Sequence, residues 1–128
     1  MPGKKTKRPV HLDLLRIRLP IGGIVSILHR VSGVLLVLLL PFTLLALQRS
    51  LTSSEGYVQV TALLKSIPGR ATLLVLVLLL IHHFLAGIRH LLLDIDVGIS
   101  RAGSRRGAWL VIVGVALVAI LIVCRLFL

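Results

Sequence analysis

From Ala71 to Leu93 the chain reads ATLLVLVLLLIHHFLAGIRHLLL, and apart from Thr72 its only polar heads are His82, His83, Arg89 and His90. A helix needs about 20 consecutive apolar residues to cross a hydrocarbon layer of ~30 Å, and this stretch is long enough. Ionisable groups at that depth are expensive, so they face a protein interior, a ligand or water. The stretch therefore reads as a membrane-spanning helix with something bound along it.

Two further stretches share its character, Ile24 to Leu47 and Ala108 to Leu128. None shows the alternation of a barrel strand. The expected fold is an all-α membrane protein, a single domain over residues 1–128 with three transmembrane helices at about 24–47, 71–93 and 108–128. Pro20, Gly22 and Gly23 mark the start of the first helix and Pro68-Gly69 the approach to the second, while Pro41 is expected to kink the first. Gly107, Gly114, Ala116 and Ala119 give the third helix a set of small residues suited to close helix contact.

A hydrophobic content of 57% with Lys and Arg gathered at the ends of apolar segments excludes an ordinary soluble domain. The formal charge of +11 could suit nucleic acid, yet no basic helix or stacking platform lies between those ends. The charge instead sets orientation and meets lipid headgroups. Lys4, Lys5, Lys7, Arg8, Arg16 and Arg18 precede the first helix, and Arg101, Arg105 and Arg106 lie in the second connector. The positive-inside rule then places the N-terminus and that connector in the cytoplasm and the C-terminus on the opposite side. Met1 to Arg18 lacks the apolar core of a signal peptide, so no cleaved leader is expected. Cys124 has no cysteine to pair with and reads as a small buried residue. Three helices enclose a ligand incompletely, which implies a partner in the membrane.

At ~100° per residue, His83 and His90 point in nearly the same direction, ~10 Å apart along the axis. Gly87 lies between them and would let a flat ligand approach, whereas His82 and Arg89 form an adjacent stripe. A neutral histidine at this depth is a good axial ligand for haem iron, and His83 sits near the middle of the membrane. Other readings compete: a membrane histidine bonding a neighbouring backbone or serving a proton path, a divalent metal site that lacks further ligands at suitable spacing, and Arg89 and His90 snorkelling to headgroups.

A second polar cluster, Ser26, His29, Arg30, Ser32 and Gly33, occupies the same end of the first helix. Ser26 and Arg30, four apart, share a face, with Gly33 on the same line and His29 beside it. A hydroxyl and a guanidinium there can bond a quinone carbonyl or a haem propionate. The plainer reading has Ser26 bonding its own preceding turn and Arg30 meeting lipid phosphate or Asp94.

Taken in order, Arg8-Pro9, Leu12-Asp13-Leu14, Ser26-Ile27-Leu28-His29-Arg30-Val31-Ser32-Gly33, His83-x-x-x-Gly87-Ile88-Arg89-His90 and Asp94 resemble the large cytochrome b membrane-anchor subunits of bacterial succinate dehydrogenase, respiratory Complex II. The resemblance covers essentially the whole chain. It implies a subunit of succinate:quinone oxidoreductase in the bacterial inner membrane, working in electron transport and the tricarboxylic acid cycle, with no complete active site of its own. A flavoprotein carrying FAD, an iron-sulfur subunit and a second small hydrophobic anchor would be its partners. By motif position, His83 would be one axial ligand of a haem b shared with that second anchor. Ser26 and Arg30 would line the ubiquinone site, His29 and Arg30 would help hold the haem propionates, and His90 would belong to the haem surroundings. His82, adjacent to His83, reads as a helix-contact residue.

Three other classes frame this expectation. A passive anchor or assembly subunit would use the same polar residues only as glue between helices. A fumarate reductase anchor shares the layout. A small transporter would be expected to carry intramembrane acids, but Asp13, Glu55, Asp94 and Asp96 all lie at or beyond helix ends.

Overall fold

A computed structural model describes residues 19–127. The N-terminal motifs Arg8-Pro9 and Leu12-Asp13-Leu14 lie outside them. The described residues form four helices and no strand: α1 Ile21–Thr52, α2 Ser54–Lys65, α3 Ile67–Asp94 and α4 Arg101–Phe127. Three of these, α1, α3 and α4, are long and apolar enough to cross a membrane. The chain is a multi-pass membrane protein.

The spanning helices extend past the apolar stretches because backbone hydrogen bonding does not stop at the edge of the hydrocarbon. At the end of α1 the hydroxyls of Ser50 and Thr52 donate to the carbonyls of Leu47 and Gln48, both at 2.7 Å. This satisfies acceptors of the last turns locally, so helix persists among polar residues. Pro41 lies inside α1 without ending it.

The segment between α1 and α3, expected only as a connector, contains α2. One device repeats at both of its joints. Ser53 and Ser66 are extended N-caps whose Oγ atoms accept from Gly56 N at 3.0 Å and Gly69 N at 3.1 Å. A side chain on either glycine would run into a backbone carbonyl of the preceding helix, Arg49 for Gly56 and Leu63 for Gly69. The tight joints therefore need a residue without Cβ. Arg49 of α1 also donates to Gln59 Oε1 through Nε and Nη2, at 3.1 and 2.7 Å, and Gln59 Nε2 donates to Glu55 Oε1 at 3.1 Å. These bonds hold α2 against the end of α1.

Helix α3 occupies the middle of the bundle and packs on both α1 and α4. The fully buried apolar core is small, Val25 of α1, Ala86 of α3 and Ala108 and Val111 of α4, flanked by Ile21, Leu85, Ile112 and Val115. Gly114 faces α3 closely, a Cβ there lying 3.0 Å from Leu85 Cδ1. Ala116 and Cys124 are exposed instead. For Cys124 this corrects the expectation of burial. Much of α4 faces outward with apolar side chains, since lipid or another subunit is its surroundings, and an apolar neighbourhood in the sequence is then no sign of burial within the chain. Between α3 and α4 the backbone reverses through Asp96 and Gly98, both in the left-handed region with φ of 62° and 80°.

Candidate functional site

The face of α3 carrying His83, Gly87 and His90 turns toward α1, where His29 meets it. The His29 ring stacks on His83 with centroids 4.2 Å apart and planes 12° apart, and is tilted against His90 at 5.1 Å. A Cβ on Gly87 would lie 3.4 Å from His29 Nε2. Gly87 thus faces the His29 imidazole at ordinary contact distance.

His83 is held by α1 at a single ring nitrogen. Its Nδ1 lies 3.1 Å from the carbonyl oxygen of His29 and 3.2 Å from Ser32 Oγ. The Ser32 hydroxyl donates to that same carbonyl at 2.9 Å. A hydroxyl has one proton, and here it is committed. Both neighbours of Nδ1 are therefore acceptors, so Nδ1 carries the ring hydrogen and donates. In the neutral ring the lone pair is then on Nε2. Ser32 is only 2% exposed, which removes water as a competitor for these bonds.

Gly33 completes this seat. A Cβ at position 33 would stand 2.9 Å from His83 Cε1, so the imidazole rests directly on the backbone of α1. Reading the sequence placed Ser32 and Gly33 in the polar cluster without giving them this task. The available signal was their position three and four residues after His29, one turn along the same face.

Beside the seat, an open groove of about 510 Å³ is lined by His29, Arg30, Gly33, Val34, Val37, Leu38 and His83. Arg30 is exposed at this groove, and Ser26 is half-buried one turn earlier on α1. His29, Arg30 and His83 thus meet around one opening, His90 reaches the cluster through His29, and Ser26 is outside the groove lining. Among the described residues, no group of three or more His, Cys, Asp or Glu converges as a metal site. A group held here would be held through a ring nitrogen and its own polar substituents.

The stripe of His82 and Arg89 points elsewhere. His82 lines a separate apolar cavity with Leu28, Val31, Val75, Leu79 and Val115, and its Nε2 is buried without a hydrogen-bond partner among the described residues. Arg89 is only 8% exposed and bonds to Ser104 of α4. It is packed among helices, not snorkelling, because α4 crosses it at glycine.

Three membrane-spanning helices with a histidine face between the first two define an intramembrane subunit built to present imidazoles. Residues 4–123 match the family of succinate dehydrogenase/fumarate reductase transmembrane subunits, and the chain belongs to it. It is 37% identical over 118 residues to a succinate dehydrogenase cytochrome b556 subunit of Coxiella burnetii, an alignment covering 91% of this chain and 93% of that relative. The chain is accordingly a membrane subunit of an enzyme complex of this type.

Proposed function

We propose that this chain is the large cytochrome b anchor of a bacterial succinate:quinone oxidoreductase, lying in the cytoplasmic membrane with its N-terminus in the cytoplasm and its C-terminus on the other side. It works with a flavoprotein carrying FAD, an iron-sulfur subunit and a second small anchor. His83 would hold the iron of a haem b shared with the companion anchor.

The tautomer of His83 carries this reading. An axial histidine needs an unprotonated ring nitrogen, and metal-bound imidazoles characteristically donate their other N–H to a carbonyl or similar acceptor. The His29 carbonyl and Ser32 hydroxyl provide that acceptor pair for Nδ1, leaving Nε2 free to bind iron. An apolar groove with a guanidinium at its opening suits a macrocycle with acidic substituents. The residues present therefore fit haem.

Bound haem supplies a one-electron centre inside the membrane. The remaining work falls to the chain's own side chains. His83 would hold the iron through Nε2, and its Nδ1–H bond would raise its basicity as a ligand. Arg30, with His29 beside it, pairs with propionate carboxylates, and His90 backs His29 from α3. Ser26 donates a hydrogen bond to a ubiquinone oxygen, and Arg30 stabilises negative charge that develops there when electrons arrive from the iron-sulfur partner.

Absorbance spectra of the purified four-subunit complex test the assignment. His83→Ala is expected to abolish the low-spin haem b signal while His82→Ala keeps it. Loss in the His82 variant alone would overturn the choice of ligand, and no haem signal in the unmodified complex would favour a passive anchor.

A further inference from the structure

On the α4 side of α3, Arg89 is a cation more than nine-tenths buried in a membrane protein. Its Nη2 donates to Ser104 Oγ at 3.0 Å and to the Ser104 carbonyl at 3.3 Å, while its Nε is buried with no hydrogen-bond partner among the described residues. Neither bond neutralises the charge. A Cβ on Gly22 of α1 would come within 3.0 Å of Nη2, and one on Gly107 of α4 within 3.6 Å of Nε. Two helices therefore bring glycine to the guanidinium, and the space beside it is kept.

On the Gly107 side, Arg89 borders a cavity of about 380 Å³ between the end of α3 and the start of α4. Its walls are apolar, Leu85, Ile88, Leu92 and Leu110 among them, and among the described residues its charged lining is Arg89 and Arg106. Arg106 is shared with an adjoining cavity of about 810 Å³ that also takes in Arg101, Arg105 and Trp109. Among the described residues, no carboxylate lines either cavity. Leu110 is 72% exposed, so the apolar walls run out onto the outer face of α4.

We propose that this α3–α4 cleft binds an anionic phospholipid, its phosphate between Arg89 inside and Arg106 at the rim and its acyl chains along the outer face of α4. Charge complementarity selects an anion, since two arginines and, among the described residues, no acid border the cleft. The walls select an amphiphile over a free ion, because desolvated apolar surface next to the charge favours a ligand carrying both. Position agrees: helix ends rich in arginine, with a tryptophan one turn further in, sit at the depth of lipid headgroups. The site is separate from the His83 face of α3, where haem would be held.

The test uses the whole complex, stripped of lipid in detergent and titrated with phosphatidylglycerol, with phosphatidylcholine and inorganic phosphate in parallel. Bound lipid per complex is read by native mass spectrometry and stability by the thermal midpoint. Phosphatidylglycerol is expected to bind saturably and raise the midpoint, whereas phosphatidylcholine and phosphate do neither. Arg89→Gln should abolish saturable binding. Because that variant also removes the link to Ser104, Arg106→Gln decides: it should weaken phosphatidylglycerol binding about fivefold, the contribution of one interfacial arginine. Arg49→Gln, at the other end of the bundle, should leave the affinity unchanged. Equal binding of the two lipids, stabilisation by phosphate alone, or equal losses in the Arg49 and Arg106 variants would each overturn the proposal. So would release of a partner subunit by Arg106→Gln with lipid affinity intact, which would assign the cleft to a protein carboxylate.

Discussion

On the α1 side of α3, His83 is held through one nitrogen, lies against a second imidazole and borders an open groove. On the α4 side, Arg89 is enclosed by glycines, tied to one serine and, among the described residues, has no partner at Nε. Both faces meet the same difficulty, a polar group taken out of water, and both enlist helix backbone to meet it. They differ in what is left over. The histidine face ends with a free lone pair, an acceptor or metal ligand. The arginine face ends with excess positive charge and spare donors. One helix thus presents opposite chemistries to its two neighbours.

The largest effect expected from disturbing this contrast is at Gly33. Gly33→Val places two methyl-bearing branches where even a Cβ would stand 2.9 Å from His83 Cε1. Displacement of the imidazole should remove nearly all haem absorbance from the isolated complex. Retention of a normal spectrum would show that His83 does not ligate from this seat. Next in size, Ser26→Ala and Arg30→Leu should slow quinone reduction by roughly 100-fold or less, the scale of losing one donor to developing charge. Succinate oxidation with a soluble artificial acceptor should stay nearly intact, and equal loss of both activities would remove the quinone role.

On the arginine face, Ser104→Ala deletes the hydroxyl that accepts from Arg89 Nη2 while keeping the backbone carbonyl. A loss of about 1–3 kcal/mol is expected, read as a lower thermal midpoint with an unchanged haem spectrum. A spectral change would mean that the two faces are coupled through α3. The subtlest effect belongs to Ser32→Ala, which leaves His83 Nδ1 with the His29 carbonyl alone. Weaker electron donation to the ring should raise the haem midpoint potential by roughly 20–60 mV, the one-electron equivalent of one ordinary hydrogen bond. No shift would mean that the carbonyl suffices.

The sequence made the three spanning helices legible, because stretches such as Ile24 to Leu47 are long, apolar and separated by charge. Helical phase also separated His83 and His90 from His82 and Arg89, and they do turn to different neighbours. Helix α2 was hidden because Ser, Thr and Gln dilute its apolar pattern, although Ser53 to Gly56 and Ser66 to Gly69 carry its boundary signals. Ser32 and Gly33 could not be assigned from one helix at a time, since their contact with His83 depends on how α1 is rotated against α3. For the same reason the burial of Arg89 was invisible. An arginine near a helix end snorkels or is enclosed according to what crosses it, and here Gly107 and Ser104 of α4 do so.

Chain order gives the covering of Arg89 a further meaning. The imidazole seat is assembled from α1 and α3 alone, joined through α2, so all its parts have been synthesised once residue 94 is made. Arg89 then has glycine at position 22 beside it but not yet the serine and glycine of α4. During N-to-C synthesis the histidine half is therefore ready before the arginine half is shielded. The last helix acts as the closing stave of a barrel, converting an exposed charge into a buried one after the rest of the subunit has taken shape.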